Sequence, residues 1–392
     1  MAYPVGVGSL RDKLIAWRRD FHAHPELSYR EERSAAIIAE HLRGLGYRVE
    51  TGVARTGVVG LLEGDQPGPI VAFRFDMDAL PVTEETGAPY ASQVPGQMHA
   101  CGHDGHMAMG MGLAEWLAAR RGEVNGAVKL LFQPAEEGGN GAEAMVEAGV
   151  LENPHVDVFV ASHLWIERPV GSADVCDGAV LAAADKWECT VRGRGGHGAM
   201  PHHTADPIVA SAQIINALQT VVSRNVPPLE TAVVSVGAVH GGDAFNVIPG
   251  EVQMTGTVRT YDPTTREMVV ERMRAVFEGV SAACGSTVEL RVRPLTPAVI
   301  NDGSVAQVVR RAAEETLGVE NVTHRERTTG SEDAAFFMQR VPGCYFFLGA
   351  ANPERGLVFP HHSSRFDFDE EALVHGVAIL TRVVCHYLMQ SQ

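Results

Sequence analysis

The run Cys101-Gly102-His103-Asp104-Gly105-His106 sets a thiol and an imidazole two residues apart across a glycine. Both donors can turn toward one cation, and a borderline-soft divalent ion such as Zn²⁺, Co²⁺ or Ni²⁺ accepts sulfur, nitrogen and oxygen together. Read in isolation, the same run also fits a buried free cysteine followed by helix-capping residues. Glu136-Glu137 is the second element. Adjacent residues in extended backbone point opposite ways, so one carboxylate can bind a metal while the other faces a water. Alone, paired acids are also an ordinary solvated turn. A ligand beside a base is what metal-assisted hydrolysis requires. Further donors are Asp78, His163, His361 and His362.

These residues need elements to hold them. Short apolar runs alternate with helical spacing: 70–75 leads into Asp76-Met77-Asp78, 127–132 into Gln133-Pro134-Ala135-Glu136-Glu137, 156–161 into Ser162-His163, and 343–348 through a loop to His361-His362. Another strand is expected over 58–62, and helices over 10–21, 31–45, 107–119, 142–148, 305–317 and 370–389. The alternation predicts an α/β layer with a mixed, mainly parallel sheet flanked by helices, and such sheets place their ligand crevice outside the carboxyl ends of the strands. Between them, strands over 187–191, 232–239, 252–260 and 288–292 enclose helices over 206–222 and 264–283. That order is ferredoxin-like. The expected division is therefore residues 1–180 and 295–392 as a metal-binding catalytic domain and 181–294 as an inserted α+β domain.

Composition narrows the partners. The 392 residues carry 32 basic and 48 acidic side chains, a net charge of −16, with no Lys/Arg stripe. Nucleic acid and anionic membrane drop out as main partners. The chain does not open on a basic segment followed by an apolar core, and no apolar run reaches about 18 residues, so a cytoplasmic enzyme is expected. Six scattered cysteines without a Cys-x-x-Cys pair point to reduced thiols. Ten of the 17 histidines cluster at His22/His24, His99/His103/His106, His197/His202/His203 and His361/His362.

The segments Arg74-Phe75-Asp76-Met77-Asp78-Ala79-Leu80-Pro81, His99-Ala100-Cys101-Gly102-His103-Asp104, Gln133-Pro134-Ala135-Glu136-Glu137-Gly138, Gly195-Gly196-His197-Gly198, Asn246-Val247-Ile248-Pro249 and Gly330-Ser331-Glu332-Asp333 together resemble the amidohydrolase branch of the dinuclear zinc aminoacylase/carboxypeptidase family. That branch includes hippurate hydrolase, auxin–amino acid conjugate hydrolases and bacterial N-acyl-L-amino acid amidohydrolases. The match runs in order from about His22 to Phe368. It implies a zinc-exopeptidase-like catalytic domain with a lid or dimerisation insert, and two divalent metal ions per subunit: zinc first, with manganese, cobalt and nickel also suited. It further implies metal ligands Cys101, His103, Glu137, His163 and one histidine of the last pair, with Glu136 as general base. Counting back four residues from Phe366 selects His362, but Ser363-Ser364 stand where the family commonly has a proline, so His361 stays open. Asp78 matches an aspartate that orients a ligand imidazole, and His106 is left structural. By the same resemblance, His197 donates to the oxyanion when the insert closes or pairs with a second subunit, and Asn246 helps hold the substrate. Arg259 is a candidate for the substrate's free carboxylate, as is the loop near Gly330. A homo-oligomer, dimer or tetramer, is expected through the insert.

Competing motifs fail on context. Gly193-Arg194-Gly195-Gly196-His197-Gly198 satisfies the dinucleotide fingerprint, yet Met200-Pro201 and Asp206-Pro207 intervene before any helix. The expected activity is hydrolysis of N-acyl amino acids. A dipeptidase, carboxypeptidase or N-acyl-diaminopimelate deacylase of the same family is the alternative, and a metal-binding homologue without catalysis is disfavoured by the intact Glu136.

Overall fold

The computed structural model describes residues 3–389. They form two compact units, one of Met1–Val180, Ile300–Arg327 and Asp333–Gln392, the other of Leu181–Val299 and Thr328–Glu332. The second unit thus extends beyond the expected 181–294. Its last strand runs on to Thr296, and Ala182 donates its N–H to Gly330 O at 2.9 Å, which returns the 328–332 segment to this unit.

In chain order the first unit opens with α1 (Arg11–Ala23) and α2 (Glu32–Gly44), then β1 (Arg48–Val53), β2 (Gly57–Glu63) and β3 (Gln66–Asp76). Helix α3 (His103–Ala118), β4 (Asn125–Gln133), α4 (Gly141–Glu147) and β5 (Val158–Pro169) follow. The second unit contributes β6 (Ala183–Arg192), α5 (Pro207–Asn225), β7 (Ala232–His240), β8 (Glu251–Thr260), α6 (Pro263–Ala283) and β9 (Thr287–Thr296). The chain then re-enters the first unit for α7 (Gly303–Leu317), β10 (Gly343–Ala351) and α8 (Glu371–Leu388). Aspartates cap three of these helices, each followed by a residue suited to the first turn. Asp206 accepts from Ile208 and Val209 with Pro207 at the first position, Asp262 accepts from Thr265 before Pro263, and Asp302 accepts from Ser304 and Val305.

The first unit's sheet runs β1-β2-β4-β3-β5-β10 and ends in the two-residue strands Ala173–Asp174 and Val322–Thr323. Its centre, β4-β3-β5-β10, is parallel, as expected for strands joined by helical crossovers. Register does much of the positioning: Asp76 lies opposite Gln133, Arg74 opposite Ala161, and Phe347 opposite His163. His163 is therefore inside β5, two residues beyond the expected strand, because the strand continues to Pro169 against β10. Strand β1, rich in polar residues, was not expected. Helix α8 alone, among the described residues, is long and apolar enough to cross a membrane, and 72% of that stretch is buried in the core of this unit.

Helix α3 lies close on the sheet. A Cβ on Gly110 would stand 2.7 Å from both Phe75 and Phe132, so only glycine allows this approach, and it fixes the height at which His103 opens the helix. The second unit is an antiparallel sheet in the order β7-β8-β6-β9 with α5 and α6 packed on Trp187, Met254 and Val258. This is the ferredoxin-like arrangement. Gly110→Val is expected to destabilise the protein by about 1–3 kcal/mol through overpacking, read as a lower midpoint in urea unfolding, while Gly279→Ala on α6, where nothing lies within 4 Å, should be neutral or stabilising.

Candidate metal centre

The start of α3, the turn after β4, strand β5 and the long loop after β10 deliver the donors. Gly102, at φ +90°, turns the chain sharply between Cys101 and the first residue of α3, so thiol and imidazole face the same side. Cys101 Sγ lies 3.4 Å from His163 Nε2, and His362 Nε2 lies 3.4 Å from Glu137 Oε1. Four overlapping groups lie within the first unit, Cys101/His103/His163, Cys101/Glu137/His362, His103/Glu136/Glu137 and Asp76/His103/His106, each with its donor atoms within 4.8 Å of one another.

Hydrogen bonds on the far side of the rings set their tautomers. His103 donates Nδ1–H to the Asp78 carbonyl at 2.8 Å, and His163 donates Nδ1–H to the Leu164 carbonyl at 2.8 Å. Each ring therefore presents the lone pair of Nε2 to the cluster, the form a metal requires. His103 Nε2 and Glu137 Oε1 are buried without a hydrogen-bond partner and face each other across 4.0 Å. Unsatisfied buried donors of this kind are costly unless a cation lies between them. The electrostatics agree. Burial opposes charge on His103, yet Asp76, Asp78 and Glu137 outweigh it and raise the imidazole to about 10, so the local field favours positive charge there. Burial, followed by the carboxylates of Glu137, Glu136 and Asp76, pushes the Cys101 thiol well above its usual range. Burial and the imidazoles of His106 and His361 hold His163 neutral. A sulfur, imidazole and carboxylate set with this negative excess fits divalent cations.

Asp78 does more than the sequence suggested. Its backbone carbonyl, not its carboxylate, takes the His103 N–H; the carboxylate stands farther off at 3.5 Å from that nitrogen. The carboxylate oxygens instead accept the consecutive amides of Glu136 and Glu137, each at 3.0 Å, and the Ser28 hydroxyl at 2.7 Å. His106 is structural: its Nε2 accepts the Leu164 N–H at 3.0 Å, which leaves Nδ1–H to donate to Asp76. His361 turns away from the donor groups. Its Nε2 donates to the Leu164 carbonyl at 2.9 Å, its ring packs on Trp165 and Phe366, and burial pulls its pKa down to about 4.

His197, Asn246 and Arg259 belong to the second unit. The two-residue strands Gly196–His197 and Val247–Ile248 pair antiparallel with His197 opposite Val247, and Gly198 donates its N–H to Asn246 O at 2.8 Å. Ala199 donates its N–H to His197 Nδ1 at 3.0 Å, so the exposed ring carries its proton on Nε2. Gly198 opens no helix, in keeping with the rejected dinucleotide reading. Arg259 is half-buried on β8 and donates to Thr257 Oγ1 and, at 3.1 Å, to the Val258 carbonyl.

Sequence reasoning assigned nothing to the buried network behind the ligands. Arg74 donates to Asp76 and Gln133 at 2.7 Å each and to Asp333 at 3.1 Å, and Asp333 also accepts from Gln133 and the Ala142 N–H. The signal for it was that Arg74, Asp76, Gln133 and Asp333 all stand within the motif segments.

A profile of peptidase family M20/M25/M40 matches residues 72–386. The chain belongs to this family. An N-acetylcysteine deacetylase of Bacillus subtilis (strain 168) is 41% identical over 92% of this chain and 93% of its own. The thermostable carboxypeptidase 1 of Saccharolobus solfataricus is 39% identical over 94% of each. Among solved structures, a dinuclear metal-binding peptidase of the M20 family from Bacillus subtilis superposes with a TM-score of 0.86 at 36% identity, covering 97% of this chain and 99% of that one. The donor groups and this likeness support two metal ions in the M20 centre of this chain. The two histidines of the last pair are separable by experiment. His362→Ala is expected to lower bound metal, measured by plasma mass spectrometry after dialysis, whereas His361→Ala keeps it; the reverse result would reassign the ligand.

Proposed function

We propose that the chain hydrolyses the amide bond of N-acyl amino acids, releasing a carboxylic acid and a free amino acid. Cys101, His103, Glu137, His163 and His362 would hold two divalent ions, zinc first, with manganese, cobalt or nickel compatible with the same mixed donors. When bound, such ions polarise the amide carbonyl and lower the pKa of a water toward neutrality. The observation that carries the reading is the pairing of Glu136 with Glu137 on one carboxylate, Asp78: the same anchor fixes Glu137 beside Cys101 and His362 and, one residue earlier, a second carboxylate for the water. Glu136 takes the proton of the attacking water and hands it to the departing amine nitrogen, so that the C–N bond breaks as a neutral amine leaves.

The tetrahedral oxyanion needs a donor. The Nε2–H tautomer of His197 supplies one, and its exposure in a short ladder suits a group that engages substrate on closure of the second unit or from a neighbouring subunit. Asn246 and Arg259 are the candidates for the substrate's carboxylate. In this reading the second unit is a lid and a pairing surface in a cytoplasmic dimer or tetramer. The deacetylase relative is named for an N-acyl amino acid and the carboxypeptidase relative for a peptide, at nearly equal identity. Both substrates present an amide beside a free carboxylate, so the second reading is a carboxypeptidase or dipeptidase.

Glu136→Gln is expected to keep the metal content of the wild type and to lower kcat by about 10³-fold or more; unchanged turnover would sink the mechanism. Hydrolysis of N-acetyl, N-benzoyl and N-indoleacetyl amino acids alongside dipeptides, with chelator and with added metals, decides the substrate class. Faster turnover of dipeptides would move the conclusion to the peptidase reading, and activity that survives chelation would remove the metals from it.

A further inference from the structure

The turn that leaves β4 carries its two glutamates on strained backbone. Ala135 sits at φ +53° and Asn140 at φ +52°, the left-handed region that L side chains adopt at a cost and hold only when their surroundings insist. The insistence comes from the connection between α1 and α2, which contains none of the metal donors. Ser28 donates its hydroxyl to Asp78 at 2.7 Å, Tyr29 donates its hydroxyl to the Gly139 carbonyl at 2.7 Å, and Glu31 accepts the Ala135 N–H at 2.9 Å. Tyr29 is itself left-handed, at φ +61°.

Glu31 is fully buried, and among the described residues no cation pairs with it. Its Oε1 accepts two amides, those of Tyr29 at 3.0 Å and Ala135 at 2.9 Å, and its Oε2 accepts the Thr56 hydroxyl at 2.5 Å. One carboxylate thus closes two left-handed residues from different segments onto each other. With the Asp78 contacts, three consecutive amides, Ala135, Glu136 and Glu137, all point into buried carboxylates. A left-handed residue beside right-handed ones is the geometry that makes successive N–H groups converge.

We propose that Glu31 is a positioning residue for the base: it holds Ala135 left-handed and thereby sets the aim of the Glu136 carboxylate, a role that rests on the reading of Glu136 as general base. The backbone from Ala135 into Glu136 carries the base, and displacements near 1 Å at a reacting group cost about 10²-fold in rate. The charge of Glu31 is not what matters here, because its partners are all donors to oxygen. A glutamine keeps both amides on Oε1 and turns its NH₂ to the Thr56 hydroxyl, which can accept.

The test reads kcat, KM and metal content together. Glu31→Ala is expected to lower kcat roughly 10- to 100-fold, with KM within about twofold and metal content unchanged. Glu31→Gln should stay within about threefold of wild type. Adding Ala135→Gly, which removes the left-handed penalty, should restore most of the kcat lost in Glu31→Ala. A kcat within twofold of wild type in Glu31→Ala, a loss that Ala135→Gly leaves untouched, or a loss that tracks metal content would each overturn the proposal. Where Glu31→Ala does not fold, Glu31→Asp carries the test, since it shortens the side chain by one methylene and withdraws the carboxylate from the Ala135 amide; a several-fold lower kcat at unchanged KM supports the proposal and an unchanged kcat overturns it. Glu136→Gln in parallel separates the two claims, because unchanged turnover there removes the base itself, whatever Glu31 does.

Discussion

A single buried carboxylate organises the centre. Asp78 is 1% exposed, receives the amides of Glu136 and Glu137 and the hydroxyl of Ser28, and offers its own carbonyl to His103. Taking a carboxylate out of water is expensive, and burial acts to raise its pKa. The His103 imidazole, the Ser28 hydroxyl and the Glu137 amide reverse that sign and hold Asp78 below the usual carboxylate range. Hydrogen bonds to a charged group contribute about 1.5–3 kcal/mol each, so a carboxylate that accepts the Glu136 and Glu137 amides and the Ser28 hydroxyl keeps its charge where one donor would lose it. Four strand and helix ends meet there, and none can shift without breaking a bond to the others.

Around this anchor the buried charges sort by partner. Two carboxylates are met by cations of the protein: Asp76, which also stands 3.5 Å from His103 Nε2, by Arg74, and Asp104 by Arg18 with His22 beside it. Arg18, fully buried, also pairs with Asp367 and Glu370 and lies over the rings of Tyr90 and Phe368. Carboxylates facing inward, Glu137 above all, have imidazoles and a thiol for company instead of arginine. A protein that neutralised every buried acid internally would leave no field for a divalent ion. This one neutralises the outer ring and leaves the inner one in deficit.

The inner ring was legible in the sequence because its donors sit next to punctuation: Gly102 before α3, and Pro134 after β4. Strand ends could be placed within a few residues from apolar runs, and the alternation of strands and helices gave the layer. The outer ring was not legible. Asp333 reaches Arg74 across 259 residues and Arg18 reaches Glu370 across 352, and contacts of that separation leave no period in the chain. His22, unexplained by composition, turns out to donate to Asp104 at 2.8 Å and to Glu84 at 3.3 Å. His163 was placed past its strand because Ser162-His163 ends an apolar run, whereas pairing with β10 carries the strand on through it.

Backbone strain completes the argument about order. Tyr29, Ala135, Asn140 and His362 are non-glycine residues at positive φ, between +52° and +67°, and all four lie in segments that carry or brace the donors. At about 1–2 kcal/mol each, they amount to a sizeable fraction of the stability of an ordinary domain. Three of them bond their own N–H to a fixed acceptor: Tyr29 and Ala135 to Glu31, and His362 to the Ala100 carbonyl at 2.8 Å. That last bond joins the His362 loop to the residue just before Cys101, so two donors separated by 261 positions in the chain share one peptide link. Strain of this kind persists where the surroundings over-determine it. The consequence is a centre shaped before any ion arrives, in which cation binding does not have to order the loops and its free energy goes instead to relieving the charge deficit of the inner ring.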